Sequence, residues 1–226
     1  MSSDARPAFY ALRPGGWRDY WTLLHPPYTL WHLSYVAIGA ALAPRMDWGV
    51  LGLTVLAFAL AMGVGAHALD ELHGRPLRTR IPSRLLVAAA VVSIAAACAI
   101  GVWVASQRTW WLLAFIAAGA FIVVAYNLEL ARGAFHSDWW FAASWGAFPL
   151  LTGYFAAAEQ VRVEALLGAA FAFASSLAQR TLSTPVRAAR RETGDPASTR
   201  SLELALQLLA AALPLLAGAL LVARSG

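Results

Sequence analysis

Seven apolar blocks, most of them near the roughly 20 residues a helix needs to cross a hydrocarbon core, divide this chain almost from end to end. They run approximately over residues 28–42, 50–69, 85–105, 110–128, 139–158, 165–177 and 202–222. Inside a bilayer every backbone polar group must be bonded within the protein, which leaves helices or closed barrels. Blocks of this length predict helices, and so an all-α polytopic membrane bundle of about seven transmembrane segments. Composition agrees: 60% of residues are hydrophobic and 13% charged, where a soluble domain carries about a quarter charged residues. No long linker or polar insertion interrupts the blocks. The expectation is one integral membrane domain over 1–226, with 1–24 as a cytoplasmic segment and 25–226 as the bundle.

Several classes of chemistry drop out at once. The single cysteine, Cys98, lies inside an apolar block, so neither a disulfide framework nor a cysteine metal site is expected. All seventeen basic residues are arginine, which removes Schiff-base chemistry on lysine. The first twenty residues hold Asp4, Arg6, Arg13, Arg18 and Asp19 without an apolar core, and no signal peptide is expected. Thirteen arginines fall on the side of the first loop set and four on the other. That asymmetry predicts a cytoplasmic N-terminus and a bacterial-type inner-membrane location. The same arginines face anionic lipid headgroups, so the basic balance calls for no nucleic acid.

Two loops carry more than orientation requires, one after the second block and one after the sixth. At the first, an apolar run ends in His67-Ala68-Leu69-Asp70-Glu71-Leu72-His73-Gly74-Arg75-Pro76-Leu77-Arg78. Ionisable groups at the mouth of a membrane helix are expensive unless paired, solvated or employed. Helical spacing sets His67, Asp70 and Glu71 within one stripe. Guanidinium groups bind phosphate bidentately and keep their charge, so Arg75 and Arg78 facing Arg180 and Arg187 would suit a diphosphate.

Further pieces fall in a recognisable order: Leu24-His25-Pro26-Pro27-Tyr28-Thr29-Leu30 opening the first block, Tyr126-Asn127 closing the fourth, Trp145 to Tyr154 in the fifth, and Gln179-Arg180-Thr181-Leu182-Ser183 after the sixth. Together, from about Leu24 to Gly194, they resemble the UbiA superfamily of intramembrane prenyltransferases. The resemblance implies a helical bundle that acts on a prenyl diphosphate, by prenyl transfer or by cyclisation and elimination, at the cytoplasmic mouth. It implies catalytic roles for Asp70, Glu71, Tyr126 and Asn127. Substrate binding would fall to His67, Arg75, Arg78, Gln179, Arg180, Ser183 and Arg187, and a single magnesium ion (Mg2+) to Asp70 and Glu71.

The chain also departs from that pattern. Ala66, His67 and Gly74 stand at polar or acidic positions of the first motif, while Gln179 and Ser183 replace both aspartates of the second. The chain is two helices short of the family's usual bundle, so a homo-oligomer or a partner subunit would complete it. Two alternatives therefore stand beside the enzyme: a non-catalytic protein that binds a lipid or assembles with a partner, and a small lipid transporter. Trp110, Trp111, Trp139 and Trp140 at block ends suit an interfacial belt. Trp145, Phe148 and Tyr154 suit either packing or a hydrophobic ligand, and Gly146, Pro149 and Gly153 predict a bent or closely packed fifth helix.

Overall fold

A computed structural model describes residues 7–192 and 197–226. Arg6 and Gly194, which enter the reading above, lie outside the described residues. The secondary structure of the described residues is helical, without strands. A short amphipathic helix α1 (Trp17–Leu23) leads into α2 (Pro26–Leu42), α3 (Trp48–Leu72) and α4 (Ser83–Gln107). Then follow α5 (Leu112–Asn127), α6 (138–158), α7 (Val163–Glu192) and α8 (Arg200–Ala223). Three of them, α3, α4 and α8, are long and apolar enough to cross a membrane. The outer faces of α4 and α8 are apolar and bare, with Val91 62% and Leu215 72% exposed. Large exposed apolar faces of this kind mark contact with lipid or another apolar partner.

Local chemistry fixes where the rods begin. The Asp47 side chain accepts the Val50 N–H at 3.0 Å and caps α3, while Ser137 takes the Trp140 N–H at 3.2 Å and caps α6. Each satisfies a backbone donor that an open helix end would leave unpaired. Pro26 opens α2, where its missing N–H removes nothing.

Helix α2 is the centre of the bundle. Trp31, Tyr35 and Ile38 pack with Leu150 of α6, Ala172 of α7 and Leu213 of α8. Trp31 donates to the Tyr35 hydroxyl at 2.6 Å and Ser176 to the same oxygen at 3.2 Å, which satisfies this polar cluster inside the core. Between α2 and α6 the backbones touch: a Cβ on Gly39 would overlap the Leu150 carbonyl, and one on Gly153 the Val36 carbonyl. Small residues permit such contact between membrane helices, and the fifth predicted block is close-packed as its glycines suggest.

Two stretches leave regular α geometry. Residues Ala59–Ala66 of α3 and Ala142–Ala147 of α6 are π-helical, a wider winding often found at functional sites. The sixth predicted block differs more. Its helix does not stop near Leu177 but continues to Glu192, through the whole second motif and past Pro185. Falling hydropathy there reflects a change from an apolar helix to an amphipathic one. Residues 179, 183, 186 and 190 follow the three- and four-residue spacing of one helix face.

Candidate functional site

The carboxyl end of α3, the far half of α7 and the segment before α2 enclose a cavity of about 620 Å³. Asp70 and His67 line it from α3, Tyr126 and Asn127 from the end of α5, and Gln179, Arg180, Ser183 and Arg187 from α7. Arg75 and Arg78 approach from the loop after α3. Ten of the eleven residues expected at the site thus border one space.

Glu71 is the exception, and it corrects the sequence reading. Its side chain is fully buried and does not line the cavity. One oxygen accepts the Leu77 N–H at 2.9 Å; the other accepts the Thr79 N–H and hydroxyl, both at 2.8 Å. Adjacent helical residues point about 100° apart, so the two carboxylates diverge: Asp70 faces the cavity, and Glu71 anchors the loop. Arg75 serves that loop as well. Its guanidinium donates to the Ile81 carbonyl at 2.6 Å and the Ser83 hydroxyl at 2.8 Å. Asp19 of α1 then clamps the loop from outside, accepting the Arg80 N–H at 3.0 Å and the Gly15 N–H at 2.9 Å. The result is a pinned loop in which Arg75 and Arg78 hold left-handed backbone, φ 55° and 56°. Such conformations cost about 1–3 kcal/mol each and cluster at functional sites.

The remaining arginines divide by what they touch. Arg180 pairs through Nε with Asp138 at 2.9 Å and lies over the Phe141 ring, 5.1 Å from its centroid. Arg190 pairs with Glu203 of α8 at 2.5 Å. Arg187 borders the open space, and among the described residues it has neither a hydrogen bond nor an ion pair. Burial, followed by the neighbouring Arg180 charge, pushes its pKa down, yet a guanidinium stays protonated in proteins. It is a cation exposed to the open space of the chamber, with Asp70 on the same wall.

Sequence reasoning missed part of the wall. Tyr10, Tyr28, His32, His136 and the Arg190–Glu203 pair also line the cavity. The spacing 25, 28, 32 along one face of α2 was the available signal. His25 stacks on His67 with centroids 4.2 Å apart, and its Nδ1 shares a 2.5 Å hydrogen bond with the Tyr10 hydroxyl. Burial, then the neighbouring His67, holds the His25 pKa well below the usual imidazole value, and burial raises that of Tyr10. His25 also sits in left-handed backbone, φ 46°. Gln179 is buried with an unpartnered carbonyl oxygen. Asn127 instead bonds its own helix, donating to the Val123 carbonyl at 2.7 Å.

A second, apolar cavity of about 100 Å³ lies between α3, α4, α5 and α6. Leu53, Phe58, Ile116, Phe115 and Phe148 are among its walls. Met62 and Trp145 line both spaces, and each belongs to one of the π-helical stretches. Tyr126 meets Trp145 edge-on, centroids 5.7 Å apart, so the junction is walled by aromatic rings. A polar chamber thus adjoins an apolar one.

The magnesium ion implied by the resemblance was tested against these donors. Such ions are held by carboxylates and substrate phosphates in octahedral oxygen sets. Asp70 and Glu203 are the carboxylates on the wall, and Glu203 is held by Arg190. Among the described residues no cluster of three or more His, Cys, Asp or Glu could hold a metal, and Glu71 has no free oxygen. The residues present do not fit a protein-bound magnesium centre. No family model, curated protein or solved structure matches the chain, so a functional reading stands on this geometry and on the residues that form it.

Proposed function

We propose that the chain is a UbiA-like intramembrane enzyme that acts on a prenyl diphosphate, with its seven helical rods α2–α8 crossing the membrane and its N-terminus cytoplasmic. The observation that carries the reading is the pairing of chambers: an arginine-lined cavity that shares the wall residues Met62 and Trp145 with an adjoining apolar one. That arrangement matches a ligand with an anionic head and a hydrocarbon tail. The polar chamber sits at the mouth defined by the arginine-rich loop after α3 and the amphipathic half of α7.

In this reading the head group lies among Arg78, Arg180 and Arg187, and the tail enters beyond Trp145. Breaking the allylic C–O bond leaves negative charge on the departing diphosphate and positive charge on the carbon. Preorganised guanidinium donors stabilise the first. The faces of Tyr126 and Trp145 at the junction stabilise the second by cation–π attraction. The carbon is then captured by an acceptor, or loses a proton on cyclisation or elimination. Diphosphate release from a panel of prenyl diphosphates, by wild type and Arg187→Gln, tests the proposal. Release that falls at least tenfold in the variant supports it; no release by folded wild-type protein rejects catalysis.

A second reading, a non-catalytic lipid-binding descendant of the same bundle, draws on one specific observation. The second carboxylate of the first motif is wholly engaged by the loop, so the chemistry of paired acidic motifs is absent from the cavity wall. Binding of prenyl diphosphate without release distinguishes it.

A further inference from the structure

Resting on the reading above, we infer that the head group is held directly on arginine, with no divalent cation bridging it to the protein, and that Arg187 is the central ligand. The charge on the wall points there. Five arginines line the chamber (Arg75, Arg78, Arg180, Arg187 and Arg190) against two carboxylates, Asp70 and Glu203. Two of the five are neutralised within the wall or beside it, Arg190 by Glu203 and Arg180 by Asp138. A chamber lined with carboxylates attracts cations and needs a metal before it can accept phosphate. This chamber carries the opposite sign, and like charge a few ångströms away disfavours a divalent ion while favouring a multivalent anion.

Arg187 has the geometry for that role. It lies on the inner face of α7, one helical turn from Ser183 and two from Gln179, both of which line the same chamber. Tyr10 and Tyr28 line the same chamber as Arg187, and phenol hydroxyls donate to phosphate oxygens. The Arg187 side chain is exposed to the open space of the chamber, where an entering anion can reach it. Arg78 lies in the pinned loop across the chamber, with no side-chain partner among the described residues. Together they offer two unpaired guanidinium groups, one on α7 and one on the pinned loop. Asp70, in this arrangement, opposes the anion instead of attracting a metal towards it.

The test is equilibrium binding of farnesyl diphosphate and of inorganic diphosphate to purified full-length protein, in magnesium and in excess EDTA. The inference expects affinities in the two buffers within about threefold. It expects at least tenfold weaker binding of both probes by Arg187→Gln, partial recovery in Arg187→Lys, and equal or tighter binding by Asp70→Asn. Binding that requires magnesium and disappears in Asp70→Asn overturns the inference while leaving the prenyl-diphosphate reading intact. Metal-free binding of inorganic diphosphate without binding of farnesyl diphosphate keeps the arginine clamp and rejects the isoprenoid reading. Failure of both probes in both buffers, by protein whose thermal melt shows it folded, overturns both.

Discussion

The two ends of the bundle hold arginine in opposite ways. At one end Arg108, where α4 stops, pairs with Glu159 at 3.1 Å and Asp47 at 3.5 Å and donates to the Ala157 carbonyl at 2.8 Å. It ties the start of α3 and the end of α6 to the end of α4, and every partner it meets is protein. At the other end Arg187 has no hydrogen-bonded or ion-paired partner among the described residues and is exposed to the space of the chamber. An arginine surrounded by carboxylates and carbonyls holds helices together. One left without them inside a chamber reserves its charge for something that arrives. Arg108 closes its helix, whereas Arg187 lies within α7, five residues before that helix ends.

Substitutions can break this contrast. The largest effect on stability belongs to the cavity end: Glu71→Ala strips three donors of a buried acceptor and should destabilise by about 3 kcal/mol. Denaturation in detergent would measure it, and the loop carrying Arg78 should become sensitive to protease. Arg187→Gln should leave the melting temperature within about 2 °C of wild type, since no protein contact is lost, while weakening anion binding by at least tenfold, about 1.4 kcal/mol. Arg108→Met should invert that pattern, lowering stability by about 1 kcal/mol with anion binding unchanged. Should Arg108→Met weaken binding as much as Arg187→Gln, the division between structural and functional arginines fails.

The smallest effect is one of pH. The pKa of His25 is depressed in the folded protein, so folding disfavours its proton. The unfolded chain takes up that proton below about pH 6.5, and the native state loses stability as pH falls through this window. Melting temperatures from pH 7.5 to 5 should decline, and less steeply in His25→Gln. An equal decline in both proteins would assign the pH dependence to other groups.

Much of the cavity was legible because charge at the end of an apolar run is rare enough to stand out. His67, Asp70 and Arg180 stood out that way, and Gly146, Pro149 and Gly153 suggested a bent or closely packed fifth block without naming its partner. Other features were hidden for physical reasons. Asp70 and Glu71 are neighbours in sequence, and only the packing of the loop after α3 decides which of them faces the chamber. The far half of α7 read as a loop because hydropathy fell, whereas its apolar residues had merely narrowed to one stripe. Arg190 finds its partner Glu203 on another helix, which no spacing rule reveals. Tyr10 stands beside His25 and Tyr28 only once α2 and the segment before it are folded together.

The π-helical winding of α3 sets the phase of everything beyond it. A π turn takes up about one residue more than an α turn, and one residue is worth about 100° of rotation. Rewinding Ala59–Ala66 as α-helix with no residue deleted would turn the final segment His67–Leu72 like a key. Asp70 would leave the chamber and another side chain would swing towards it, while the apolar span stayed almost the same length. The chemical character of this mouth is therefore under rotary control. A one-residue mismatch between the length of this stretch and its winding exchanges the residue presented, whereas deleting one residue as it rewinds restores the original phase.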